Sequence, residues 1–283
     1  MATTLTPEQI EGFRTEGYLS PVRVMGETEA EGYRARYETF RERWPEHVKK
    51  LKTKAHVLCP WVDEIARHEG VLDAFEGLIG PDILCYSMAF RPKGPDRATH
   101  AGWHQDSAYI KIEPIMILAA LALSPVTVEN GCLRVIPGSH AWGPMNHADS
   151  DDPHSILARG QSITDPFDDS AAVAMELRPG EVGFFDFRAV HGSGPNLTDD
   201  TRLMLLVEMM PAAASQGEGR ETAMLVRGED RYGHFLADPH GLGEATLEAL
   251  AAWERTVAIR AGNVYRAATV EANEAYAGRR KAV

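Results

Sequence analysis

Cysteine is scarce in this chain. Three residues in 283, Cys59, Cys85 and Cys132, form no Cys-x-x-Cys pair. That leaves no basis for a disulfide framework or a cysteine-built zinc site, and it fits a reduced, cytoplasmic setting. Basic residues are outnumbered, 29 Lys and Arg against 41 Asp and Glu, for a formal net charge of -12. An excess of negative charge argues against nucleic acid or an anionic membrane as partner. Long hydrophobic runs are missing too. The longest, 115–123, is about half of the ~20 residues a bilayer-spanning helix needs. The opening MATTLTPEQIEGF has no basic start followed by an apolar stretch, so no secretory signal is expected there. What remains is an ordinary globular balance, 44% hydrophobic and 25% charged. The length suits one sizeable core or at most two domains.

The chain changes texture along its length. Thr6, Pro7, Glu8 and Gln9 form a helix start over 6–17, with a capping residue, a proline suited to the first turn and acid at the positive end. Residues 27–50 are polar and helix-prone, with Tyr33, Tyr37, Phe40 and Trp44 spaced to form one inward stripe. A further amphipathic helix is expected over 61–79, ended by Gly80-Pro81. From residue 82, short apolar runs at 83–90, 115–123, 132–136, 173–177, 182–187 and 203–210 alternate with Gly, Pro, Asn and Asp. Such a series is the pattern of a β-sandwich or barrel. The polar stretch 143–170 exceeds an ordinary hairpin loop and is expected to be a functional loop or lid. Helix returns near the end. The expectation is one α+β domain over 1–283, with a helical N-terminal part (about 5–80), a β core (about 82–210) and a C-terminal helical segment (about 240–281).

Among eleven histidines, two stand in unusual settings. In Trp103-His104-Gln105-Asp106, an extended backbone sends alternate side chains to one face, so His104 and Asp106 can converge on one ion. His191 follows the apolar strand 182–187 and opens the glycine-rich His191-Gly192-Ser193-Gly194. Two imidazoles and one carboxylate on one face make the facial triad of non-haem Fe(II) oxygenases. Alone, His-x-Asp is a weak pattern. It gains weight because Arg202 falls 11 residues after His191 and Ser193 two after it. A buried guanidinium grips a carboxylate with two parallel bonds, so Arg202 and Ser193 can hold the far carboxylate of 2-oxoglutarate. The plainer alternative pairs Arg202 with Asp199, Asp200 or Glu208. His140 is expected to be structural, since the triad is complete without it. His147, His154, His234 and Tyr232 are candidates for a pocket mouth. Asn130-Gly131 is a strong turn signal in any β protein.

On three motifs in order, Trp103-His-Gln-Asp106, Glu129-Asn-Gly-Cys-Leu-Arg-Val-Ile-Pro-Gly-Ser-His140, and His191-Gly-Ser-Gly-Pro-Asn196 with Arg202, the chain resembles the phytanoyl-CoA dioxygenase family. Leu5-Thr-Pro-Glu-Gln9, Glu16-Gly-Tyr18 and Leu78-Ile-Gly-Pro-Asp82 add to the likeness. The resemblance implies a double-stranded β-helix (jelly-roll, cupin-like) core with flanking helices. It implies Fe(II) on His104, Asp106 and His191, 2-oxoglutarate as co-substrate on Arg202 and Ser193, and O2 as oxidant. Gln105 and Ser87 are further cofactor candidates on the same ground. Stretches such as Arg159-Gly-Gln161 and 227–235 resemble a bacterial branch close to natural-product halogenases. In those, Ala or Gly stands where this chain keeps Asp106, so hydroxylation is expected and halogenation is the alternative. Members often carry Trp 11 residues before the motif glycine, where this chain has Ala120.

The expected substrate is a small polar molecule: an amino acid, amine, aminophosphonate or natural-product intermediate. Arg97, Arg159, Arg227, Asp230 and Arg231 supply the mixed charge behind that expectation, unless they are solvated surface. A non-catalytic jelly-roll binding protein and a metalloenzyme independent of 2-oxoglutarate are the other readings. Retention of Arg202 and Ser193 beside the triad weighs against both.

Overall fold

The structure is a computed structural model that describes residues 4–157, 159–217 and 219–264. Helix α1 (Pro7–Glu16) starts as the sequence dictates. Thr6 Oγ accepts from Gln9 N–H while the Gln9 side chain accepts from Thr6 N–H, a reciprocal cap. Strand β1 (Tyr18–Arg23) and helix α2 (Glu27–Arg43) follow. Pro45 ends the helical run expected over 27–50, and a 3-10 segment, Pro45–Lys52, takes over. Helices α3 (Ala55–Leu58), α4 (Pro60–Ala66) and α5 (Glu69–Ile79) come next. The single helix expected over 61–79 is therefore two. The break comes at Arg67-His68, where His68 Nδ1 accepts from Gly70 N–H and caps α5.

The strands are β2 (Ile83–Lys93), β3 (Ala101–His104), β4 (Ile112–Glu113), β5 (Ile117–Ala122), β6 (Leu133–Val135), β7 (His147–Ala148), β8 (Ser162–Ile163), β9 (Val173–Met175), β10 (Glu181–Asp186), β11 (His191–Ser193), β12 (Arg202–Pro211), β13 (Ser215–Gln216), β14 (Thr222–Arg227) and β15 (Leu236–Ala237). A seven-stranded sheet has the order β1-β10-β5-β12-β2-β14-β15, and a four-stranded sheet the order β3-β11-β6-β9. The large sheet thus draws on strands outside the 82–210 stretch expected to hold the β core: β1 before it, β14 and β15 after it. Strand β1 hides its pattern behind Pro21, which breaks its ladder with β10 between Leu19 and Val22.

Both faces of the large sheet are covered, which is why its strands read as near-continuous apolar runs. In β10, Phe184 packs under the helices and Phe185 points to the small sheet. In β5, Ile117, Ala119 and Leu121 face the helices while Leu118 faces the small sheet. Strand β12 does the same, sending Leu203, Leu205 and Val207 to the helical side and Arg202, Met204 and Leu206 to a cavity on the other. Helix α6 (Leu247–Val264) buries Ala252 and Trp253 in the helical layer. The rest of the C-terminal helical segment expected to 281 lies outside the described residues. No described helix is long and apolar enough to cross a membrane.

Candidate metal and carboxylate site

His104 ends β3 and His191 begins β11, and the two are direct cross-strand partners with ring centroids 4.1 Å apart. Asp106 does not continue the strand. It opens a 3-10 turn, Asp106–Ala108, after an extended Gln105. The turn is fastened by Ser107 N–H donating to Phe187 O and Ile110 N–H donating to Asp106 O. The Asp106 oxygens come to 3.5 Å from His104 Nε2 and 3.6 Å from His191 Nε2. One ligand atom from each residue lies within 4.8 Å of the others.

Each imidazole is aimed by its other nitrogen. His104 Nδ1 bonds Gly102 O at 2.8 Å and His191 Nδ1 bonds Ala189 O at 2.9 Å. Carbonyls accept only, so Nδ1 carries the proton and Nε2 presents a lone pair to the centre. Burial, with the neighbouring His104, pushes His191 down to about 4, which keeps it neutral and able to ligate. Burial works to raise the Asp106 carboxyl, but His191 and His104 outweigh it and hold it at about 2. Two neutral nitrogens and one carboxylate oxygen on one side of a point suit a divalent iron with open positions.

The same cavity, about 90 Å³, is lined by His104, Asp106, His191, Ser193, Arg202 and Arg91 among others. Arg202 is buried and meets no carboxylate among the described residues. Its Nη1 donates to Gly131 O (2.8 Å) and its Nη2 to Arg91 O (3.0 Å), while Nε is buried without a partner. None of Asp199, Asp200 and Glu208 pairs with it; Glu208 takes Arg260 and Asp199 takes Arg97. Lys93 lies beside it. Lys93 Nζ donates to Ser193 Oγ at 2.9 Å and to Gly194 O at 2.5 Å. Burial and the Arg202 guanidinium push the Lys93 ammonium down to about 7. Two buried cations and a hydroxyl, with no acid bonded to them among the described residues, can receive an anion.

Lys93 is the residue that sequence reasoning missed. The apolar run was bounded at 90, yet the strand continues through Arg91, Pro92 and Lys93. Alternation from Ala89 would have carried Arg91 and Lys93 onto the inner face. Gly131 is more than a turn former. At φ +77°, a Cβ there would lie 2.5 Å from Gly194 O, and its carbonyl receives Arg202.

Other candidates lie elsewhere. The Gln105 side chain turns away from the triad, donating to Gly143 O and Arg188 O and accepting from Met145 N–H. It pins the start of the 143–170 loop. Ser87 Oγ accepts from Lys54 N–H and does not line the cavity. His140 bonds Arg14 O at the end of α1, a structural place. The pocket-mouth group does not assemble. His147 Nε2 accepts from Gln105 N–H, His234 bonds Ala214 O, Tyr232 is exposed, and none of these nor His154 lines the cavity. The mixed-charge set is dispersed as well. Arg97 pairs with Asp199, Arg159 with Asp149, Arg227 with Asp73 and Glu76, and Arg231 with Glu229, while Asp230 caps a turn. The 143–170 loop does reach the site: Ile156 and Leu157 line the cavity, as does Ala120.

Residues 5–204 match the family model for phytanoyl-CoA dioxygenase (PhyH). A methylphosphonate hydroxylase of Gimesia maris is 25% identical over 236 residues, 78% of this chain and 86% of that protein. The chain spans about half the length of other curated relatives it matches, 48% and 56% of two of them. Among solved structures, the non-heme monooxygenase ThoJ in its apo form superposes with a TM-score of 0.82 at 28% identity, over 92% of this chain and 98% of that one. CytC3 with Fe(II) and alpha-ketoglutarate shares the fold, with a TM-score of 0.64 at 21% identity over 85% and 95%.

Proposed function

Because the chain belongs to the phytanoyl-CoA dioxygenase family, we propose that it is an Fe(II)- and 2-oxoglutarate-dependent dioxygenase that hydroxylates a C–H bond of a small polar molecule. The observation that carries this reading is one cavity with a His-Asp-His cluster at one part of its wall and Arg202 and Ser193 at another, with the Lys93 ammonium behind them on Ser193 Oγ. A dicarboxylate with a keto acid at one end suits both parts together. The two sheets are the facing layers of a double-stranded β-helix, and the chain forms one domain around it.

His104, Asp106 and His191 would hold the iron, which supplies the activation of O2 and the oxidative decarboxylation of 2-oxoglutarate. Arg202 and Lys93 hold the far carboxylate, with Ser193 fixing the Lys93 ammonium. Ile156 and Leu157, on the 143–170 loop, exclude water from the cavity. Asp106 occupies the position that must be vacant for a halide to bind beside the two imidazoles, which supports hydroxylation over halogenation.

Anaerobic addition of Fe(II) and then 2-oxoglutarate tests the reading. A charge-transfer absorption in the visible, dependent on both, is expected, and succinate should form on admitting O2. Absence of the band with folded, iron-loaded protein would remove 2-oxoglutarate from the proposal.

A further inference from the structure

Besides Arg202, a second cation, Arg91, lines the cavity, and its side chain serves neither the metal cluster nor the carboxylate well. We propose that Arg91 is the receptor for an oxyanion head group on the substrate, a carboxylate or a phosphonate; this deepens the reading of the site given above and rests on it.

Arg91 lies on the inner face of β2, two residues before Lys93 and opposite Met204 of β12. Its side chain is held by one nitrogen. Nη1 donates to Lys52 O at 2.7 Å and to Phe90 O at 3.3 Å. Nε and Nη2 have no protein partner among the described residues. These two form one edge of the guanidinium, with parallel N–H bonds spaced for two oxygens of a single head group. The tether at Nη1 fixes the plane of that edge before any ligand arrives.

The charges around Arg91 leave it open to an anion. Glu208 is the nearby acid on β12, and its carboxylate is taken by Arg260 at 3.1 Å. Asp106 acts on Arg91 through the cavity, but as a ligand its charge would be answered by the metal. Among the described residues no other acidic group shares the cavity wall. Among the described residues no carboxylate bonds Arg91, although Glu208 and Asp106 act on it at longer range; a partly buried cation without a bonded counter-ion is penalised by burial unless a ligand supplies the counter-charge. The far carboxylate of 2-oxoglutarate has its own receptor in Arg202 and Lys93, and its keto acid end belongs to the metal. The anion left for Arg91 is the substrate's. Since Arg91 and Asp106 share one small cavity, the C–H bond to be oxidised would lie only a few bonds from the anchored head group.

The test uses full-length protein loaded with Fe(II) and 2-oxoglutarate under argon. Methylphosphonate, acetate and, as a cationic control, methylammonium are titrated separately. Binding is read by calorimetry and by the shift of the charge-transfer band. The wild type should bind an oxyanion probe and ignore methylammonium, and the stronger of methylphosphonate and acetate identifies the head group. Arg91→Gln should weaken that probe about tenfold or more, the scale of a charge-assisted contact, with 2-oxoglutarate affinity within about twofold of wild type. Should Arg91→Gln fail to fold, Arg91→Lys keeps the charge, loses the two-bond edge, and should weaken the probe severalfold with 2-oxoglutarate again unchanged. Equal probe binding by wild type and variants would overturn the proposal. So would a parallel loss of 2-oxoglutarate, which would give Arg91 to the co-substrate, or a wild-type 2-oxoglutarate complex that no oxyanion perturbs. If that complex does not form at all in the wild type, the parent reading fails and takes this one with it.

Discussion

Lys93 and Arg202 are direct partners across the β2–β12 ladder, and both side chains donate to the carbonyl of Gly131. Like charges facing each other across two strands are destabilising. Here both are also buried, and among the described residues neither has an acid. An anion bound between them, as proposed for 2-oxoglutarate, would offset that cost.

That relationship sets a pH dependence. Lys93 is depressed from its ordinary value to about 7 in the empty site. An unfolded chain holds this proton up to about 10.4, so between those limits the unfolded state binds more protons. The Lys93 contribution to stability of the empty protein therefore rises with pH from about 7 upward, and below 7 its penalty is fully present. For 2-oxoglutarate the sign reverses. Its dianion favours the charged ammonium, so affinity should fall as pH rises above about 7, by up to tenfold per unit. Lys93→Met should remove the slope and weaken 2-oxoglutarate by roughly 1.5–3 kcal/mol. Calorimetric titrations at several pH values check both; a flat wild-type profile would free Lys93 of the role.

Single replacements of His104, Asp106 or His191 by Ala should abolish turnover and Fe(II) binding while leaving the circular dichroism unchanged. The three side chains line a cavity rather than fill the core. Metal should raise the melting temperature of the wild type by mass action and leave the variants where they stand. Any one variant that retains full activity would be excluded from the triad.

Gly131→Ala should damage fold and site together. The new methyl would meet Gly194 O at 2.5 Å and Pro195 O at 2.9 Å from a backbone at φ +77°. A loss above about 1 kcal/mol is expected, with weaker 2-oxoglutarate binding because Gly131 O fixes Arg202. Thermal melts and titration would separate the two effects. A stable variant with normal affinity would mean the turn relaxes freely.

Within the 143–170 loop, beyond the β7–β8 pairing, the 149–159 segment is closed by Asp149, which takes Arg159 Nη2 at 2.6 Å and Nε at 3.0 Å. Asp149→Asn should loosen the segment carrying Ile156 and Leu157. Limited proteolysis should then cut within 143–170 sooner than in the wild type, and 2-oxoglutarate should restore protection if the loop covers the cavity. Identical digestion patterns would assign the ion pair to stability alone.

The sequence by itself determined the parts that depend on local chemistry. Thr6, Pro7 and Gln9 specify the start of α1. The apolar runs specify β2, β5, β10 and β12, because strands buried on both faces must be apolar throughout. His104, Asp106, His191, Ser193 and Arg202 are legible as residue types at telling spacings, although it is the 3-10 turn at Asp106–Ala108, not a continued strand, that sets Asp106 beside the two imidazoles. Tertiary structure alone decided the rest. Ser87 and Gln105 carry polar side chains near the right motifs, yet the hydrogen bonds of Lys54, Gly143, Met145 and Arg188 claim them. Lys93 and Arg91 follow an apolar run and resemble its solvated end. Only the pairing of β2 with β12, fixed by contacts more than a hundred residues apart in the chain, turns them inward, where the proposed binding of anions rests on their charge.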